Sequence, residues 1–155
     1  MKSLDDLVKR FEQWQKNIDN NIMDAQRQTA QQIWEDVITY APVKTGEYIA
    51  SIDIDGPTKE ENEIKTFIGS DLTVEAKSTN KSYNLGYLLE HGTMPHDIYP
   101  VDSNYLVFEI DGKTIFTKHV FHPGTTAQPH YRLALEKNRK LYKDNIRRTW
   151  RSKWH

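Results

Sequence analysis

Histidine is the side chain in this sequence most able to do chemistry, and five of the six fall in two short stretches. Residues 87–96 read Y-L-L-E-H-G-T-M-P-H, and residues 119–135 read H-V-F-H-P-G-T-T-A-Q-P-H-Y-R-L-A-L. With Glu90 they could offer the imidazoles and carboxylate of a zinc site, which needs three or four ligands converging at about 2.0–2.2 Å. Their spacing argues otherwise. His119 and His122 are three apart at the end of a strand, where such positions point to opposite faces unless the strand stops between them. Glu90 and His91 are neighbours on a short helix and diverge by about 100°. No H-E-x-x-H is present. A small His-dependent metal-binding enzyme or nuclease is therefore the alternative reading, and loop or interface histidines are the commoner one.

Other chemistries have less to work with. The absence of Cys excludes disulfides, thiolate metal sites and cysteine nucleophiles. No G-x-S-x-G and no glycine-rich phosphate loop occurs. Asp53, Asp55, Glu60, Glu61 and Glu63 cluster around a turn, where acids are usually a solvated face rather than a two-metal site. No catalytic residue, metal ligand or cofactor is assigned.

The elements that must position these residues follow from periodicity. Leu4, Leu7, Phe11, Trp14, Ile18, Ile22, Ala25, Thr29, Ile33, Val37 and Tyr40 recur every three or four residues, which predicts one helix over residues 1–41. Ser3, Asp5 and Asp6 suit its start, and Pro42 ends it. A break at Asp19-Asn20-Asn21 is the alternative. Such a helix is too long for a small domain to cover, so its first half is expected to project or pack on another subunit.

Residues 43–122 are expected to hold a four-stranded, mainly antiparallel sheet. Lys44, Thr45 and Gly46 form a turn, and residues 48–54 alternate as a strand. Gly56-Pro57 signals a turn, residues 63–69 a second strand, and residues 71–84 a polar loop. Residues 85–91 form a short helix stopped by Gly92, and 94–103 are irregular. Residues 105–110 and 114–121 flank Asp111-Gly112, a type I′ hairpin signal. A C-terminal helix over 128–154 opens with Pro129 in its first turn. The class is α+β in a single domain spanning 1–155.

Composition bears on partners. Only 37% of residues are hydrophobic, although four Trp, eight Tyr and five Phe supply large burial units; such a chain often completes its burial against neighbours. From Gln128 onward nine Lys/Arg face two Asp/Glu, while the rest holds twelve against twenty. A basic end on an acidic body suits nucleic acid, an acidic partner or head-to-tail self-association. Arg139, Lys140, Lys143, Arg147, Arg148 and Arg151 are the candidate partner or DNA contacts. Phosphate neutralisation by such residues gives sequence-independent affinity, so a DNA-binding accessory factor is a weaker alternative. No apolar run approaches the roughly 18 residues of a membrane span, so no membrane partner is expected and synthesis in the cytosol is.

Three motifs carry a family resemblance. Residues 41–46 (A-P-V-K-T-G), followed by Ser51-Ile52, resemble an "A-P-x-x-T-G-x-L-x-x-S-I" opening; residues 88–93 (L-L-E-H-G-T) resemble a "Y-x-x-x-x-E-x-G-T" turn. Residues 122–135 resemble "H-P-G-T-x-A-Q-P-F-L-R-P-A-L". In this order they are similar to the small morphogenesis proteins of long-tailed bacteriophages, which act in head–tail joining, tail completion or as minor capsid (neck) proteins. The resemblance spans residues 40–135. It departs at Tyr48 and Ile49, where the family has Leu and a basic residue, and at His130, Tyr131 and Leu133, where it has Phe, Leu and Pro. It implies a non-enzymatic virion protein of the neck, self-assembled into a ring such as a hexamer or dodecamer. The implied partners are tail terminator, head-completion or portal-adaptor proteins, with non-specific contact to genomic DNA. Lys44, Thr45, Gly46, Glu90, Gly92, Thr93, His122, Pro123, Gly124, Gln128 and Pro129 are read as a structural corner that sets how the last helix is presented.

Overall fold

The computed structural model describes residues 3–61, 63–76 and 81–151. In chain order the elements are α1 (Leu4–Tyr40), α2 (Glu47–Ala50), β1 (Asp53–Glu60), β2 (Glu63–Gly69), β3 (Thr73–Ala76) and β4 (Lys81–Asn84). They continue with α3 (Leu85–His91), β5 (His96–Ile98), β6 (Leu106–Ile110), β7 (Lys113–Thr117), β8 (Val120–His122) and α4 (Tyr131–Arg151). The α+β class, the two long terminal helices and the short helix between hairpins are as the sequence predicts. No helix among the described residues is long and apolar enough to cross a membrane. Contacts divide the chain into two compact units, the first made of residues 1–40, 52–69 and 130–155 and the second of residues 41–51 and 70–129.

In the first unit α1 is one unbroken helix. Ser3 caps it, its carbonyl and hydroxyl accepting the Asp6 amide at 3.1 and 3.3 Å. The helix passes through Asp19-Asn20-Asn21 without a break, and Asp19 is tied to Lys59 of β1. Only its second half is covered. Ala25, Thr29, Ala30 and Val37 are buried where α1 packs on α4, and α4 answers with buried Ala134 and Asn138. Small side chains at such a seam let helix axes approach closely. Thr29 Oγ1 donates to the Ala25 carbonyl at 2.9 Å and accepts the Asn145 amide at 3.0 Å. Asp36 is the buried carboxylate here, accepting from Lys137 Nζ at 2.7 Å and Asn138 Nδ2 at 2.6 Å.

The β1–β2 hairpin lies on the same helix. Gln26 donates to the Ile64 carbonyl at 3.0 Å and accepts from Thr66 Oγ1 at 3.1 Å, and Trp34 Nε1 donates to the Ile52 carbonyl at 2.8 Å. The sequence expectation for β1 was displaced. Residues 47–50 form helix α2 rather than strand, because left-handed Gly46 turns the backbone directly into it. Gly56-Pro57 is not the turn. It sits inside β1, where the register slips between Asp55 and Thr58, and the reversal falls at Glu61 with φ 50°.

The second unit is built from short antiparallel pairs. β3 pairs with β4, so the described part of 71–84 is largely a hairpin rather than a loop; residues 77–80 of that expectation lie outside the described residues. β5 pairs with β8, which places strand where 94–103 was expected to be irregular. β6 and β7 form the expected hairpin, with Asp111 at φ 51° and Gly112 at φ 73° as a type I′ turn requires. All ladders are two-stranded among the described residues, so the expected strands are not joined into one four-stranded sheet. Local features favour this: β1 slips in register at Gly56-Pro57, Pro95 and Pro123 end the β5–β8 ladder, and β3, β4, β6 and β7 are only four or five residues long. α4 begins at Tyr131, two residues after Pro129, and His130 is the residue whose carbonyl first accepts, from the Ala134 amide at 3.1 Å. The expected end near Trp154 lies outside the described residues.

The Lys137 hydrogen bond, helped by Asn138 and opposed by burial, holds the Asp36 carboxyl below the usual carboxylate range. The stability it contributes is complete above the unfolded-state value near pH 4 and is lost as pH falls through the lower folded value. Asp36→Ala should cost about 1–3 kcal/mol at pH 7, because it strips a partner from the buried Asn138 amide. Urea unfolding at pH 7 and below pH 3 checks this: the gap between variant and wild type should shrink in acid, and an unchanged gap would refute the assignment.

Candidate functional site

The two histidine-bearing stretches meet, and they meet through backbone. Thr93 and Thr125 form an antiparallel bridge, each amide donating to the other's carbonyl at 3.1 and 3.2 Å, with their hydroxyls 3.0 Å apart. The bridge continues the β5–β8 register, in which His96 faces His122 and Ile98 faces Val120. Between bridge and ladder that register sets Pro95 opposite Pro123. Neither has an N–H to donate, which is why the pairing lapses there and resumes at the threonines.

Glycine makes the approach feasible. Gly92 (φ 71°) and Gly124 (φ 84°) both lie in the left-handed region. A Cβ on Gly92 would strike the Thr125 carbonyl oxygen and the Ala127 amide; one on Gly124 would strike the Thr93 carbonyl oxygen and Met94. Each stretch therefore donates a glycine against the other's backbone. α3 is capped by Asn84, whose side chain accepts the Tyr87 amide at 3.0 Å, and its end is fixed when the Gly92 amide donates to Leu88 at 2.8 Å. The Gln128 amide donates to the Leu89 carbonyl at 2.8 Å, so α3 also holds the segment leading into Pro129.

His122 has a structural task. Its Nδ1 accepts the Gly124 amide at 3.1 Å, so neutral His122 carries its proton on Nε2 and pins the Pro-Gly turn. His96 stacks on it with ring centroids 5.1 Å apart. His119 instead contacts Asp97 Oδ1 at 2.6 Å and the Tyr99 ring, His91 lies on Tyr87, and His130 is fully buried beside Tyr131. No group of three metal-ligating side chains converges among the described residues. The corner residues Glu90, Gly92, Thr93, His122, Pro123, Gly124, Gln128 and Pro129 thus occupy one locus. Among the described residues no hydrogen bond is seen from Lys44, Thr45 or Gly46 to it; Thr45 Oγ1 accepts the Glu47 amide at 3.4 Å, and Gly46 is needed for its φ of 79°.

The basic candidates Arg139, Lys140, Lys143, Arg147, Arg148 and Arg151 are all exposed on α4, away from its buried Ala134 and Asn138. Arg147 lies 3.9 Å from Asp144. A cleft of about 700 Å³, lined by Arg139 alone of these six, opens between α1, β2 and α4. Its exposed Phe67, Leu135 and Tyr142 escape a sequence reading that counts apolar periodicity as burial. No family model matches the chain, and no curated protein or solved structure matches it either.

The corner is a surface held by backbone pairing, and among the described residues it gathers no set of three metal-ligating side chains. Gly46→Ala should cost about 1–2 kcal/mol, the strain of a left-handed residue in open space. Gly92→Ala and Gly124→Ala add a backbone collision and should lower the melting temperature clearly more. Equal shifts for all three in thermal unfolding would show that the two stretches are not locked as described.

Proposed function

We propose that the chain is a non-enzymatic structural protein of a tailed-bacteriophage virion, a ring-forming neck component that completes the tail's upper end or joins it to the capsid portal. The observation that carries the self-assembly part is the surface left uncovered. Among the described residues seven apolar side chains are buried, whereas twenty-three large apolar ones are exposed. The accessible area is 12345 Å² for 18.2 kDa. A compact monomer of that mass exposes about 8,100 Å², and even two separate compact bodies of half the mass would expose about 9,800 Å². Such an excess, rich in Phe, Trp, Tyr and Leu, marks a chain whose burial is finished by neighbours.

Support for the neck assignment comes from the three ordered motifs over residues 40–135, two of which form the Thr93–Thr125 corner. A basic helix on an otherwise acidic chain favours heterologous contacts, which close into rings when the rotation permits. Negative-stain microscopy of the purified chain, alone and mixed with tail-terminator and portal-adaptor proteins of its phage, tests the reading. Rings are expected in at least one of these samples. A chain that stays monomeric at high concentration and joins none of these partners would overturn it.

A further inference from the structure

We infer that the uncovered apolar stripe at the start of α1 docks in the cleft between β2 and α4 of a second copy of the chain. The inference rests on the self-assembly part of the reading above and names its surfaces. Leu4, Leu7, Phe11 and Trp14 share one face of α1 and are all exposed, Phe11 by 66%. Residues 4–16 have no buried position, so nothing among the described residues buries that face. The cleft is the converse: concave, about 700 Å³, and lined by Phe67, Leu135 and Tyr142, with half-buried Ile33, Ile64 and Ile68 below. An amphipathic helix laid in an apolar groove by residues at i, i+3, i+7 is a recurrent mode of recognition.

The stripe cannot reach its own cleft. Both lie on one continuous helix, where Phe11 stands about 28 Å from Ala30 on the cleft floor. Another copy must supply it. The lengths agree: residues 4–14 of the helix span about 15 Å, the α4 wall from 131 to 142 about 16 Å, and the β2 wall from 64 to 68 about 13 Å.

Charge selects the orientation. Asp5 and Glu12, seven apart, flank one side of the stripe, and Arg10 flanks the other. On the cleft, Glu136 and Arg139 line the α4 wall and Lys143 follows Arg139 one helical turn on; Arg139 and Lys143 outnumber the single acid and make no ion pair among the described residues. Glu60 and Glu63 stand on the hairpin side, held by Lys65 at 2.7 and 3.3 Å. Of the two directions a helix can take in the cleft, one sets Asp5 and Glu12 along Arg139 and Lys143 and Arg10 toward the hairpin acids. Donor and acceptor faces differ, so each copy can dock forward and receive behind, as a ring needs.

Sedimentation velocity on the full chain tests this with two charge-reversed variants, Asp5→Lys/Glu12→Lys and Arg139→Glu/Lys143→Glu. All four residues are exposed, and far-ultraviolet circular dichroism checks that each variant folds. Each alone should self-associate at least about tenfold more weakly than wild type, and an equimolar mixture should recover association by alternating the two. Phe11→Ala/Trp14→Ala should weaken association without rescue by either. Loss on the α1 variants with no effect of the α4 variant would overturn the proposal in favour of pairing between α1 helices. Association indifferent to every variant would sink the docking while leaving self-assembly on another surface, whereas a monomeric wild type would count against both.

Discussion

Asp36 lies near the end of a 37-residue helix with its carboxylate almost out of water, and it is tolerable there only because α4 brings Lys137 and Asn138 to it. A buried charge without such partners is strongly unfavourable. The first unit depends on this contact. Its two long helices meet mainly through small side chains, Ala25, Thr29, Ala30 and Ala134 beside fully buried Val37, so the seam gains modestly from apolar burial, at roughly 25 cal/mol per Å². Polar bridges fix its register: Asp36 to α4, Thr29 to Asn145, and Gln26 to the hairpin and, at 3.4 Å, to Tyr142.

A seam made this way has a consequence for the rest of the surface. Large side chains excluded from it line the cleft or stand on the uncovered turns of α1. The second unit follows the same economy, with the corner held by backbone pairing, two left-handed glycines and one histidine side chain. Both units obtain their specificity from hydrogen-bond geometry while leaving much apolar area exposed. That division suits a protein whose final burial is shared with other chains.

Much of the fold was legible because its signals were local. The stripe from Leu4 to Tyr40 predicted one long helix, residues 63–69 matched β2, residues 85–91 matched α3, and Asp111-Gly112 marked its turn. Misses arose where local signals compete. Residues 48–54 alternate convincingly, yet Gly46 starts a helix, and seven residues are too few for period two to prevail. Gly56-Pro57 has turn composition but serves a bulge. The described residues of 71–84 look like loop because both strands of their hairpin are mostly exposed and polar, so no alternation betrays them. At the site, glycine and histidine types were visible, but Pro95 facing Pro123 and Asp36 facing Asn138 are tertiary pairings that no spacing encodes. The stripe is helical throughout, and its first half is left exposed as expected of a helix too long for a small domain to cover; the point where cover begins depends on where α4 and the hairpin end.

The central claim is that the exposed first turns of α1 find their cover on another copy of the chain. Amide hydrogen exchange over residues 4–16, followed at low and high protein concentration, addresses it most directly. Among the described residues nothing buries these turns, so their amides should exchange fast when dilute and slow markedly as concentration rises. The helix seam around Ala30 and Val37 should stay protected throughout. Exchange over residues 4–16 that is the same at both concentrations, in a sample shown to be associated at the higher one, would contradict the account.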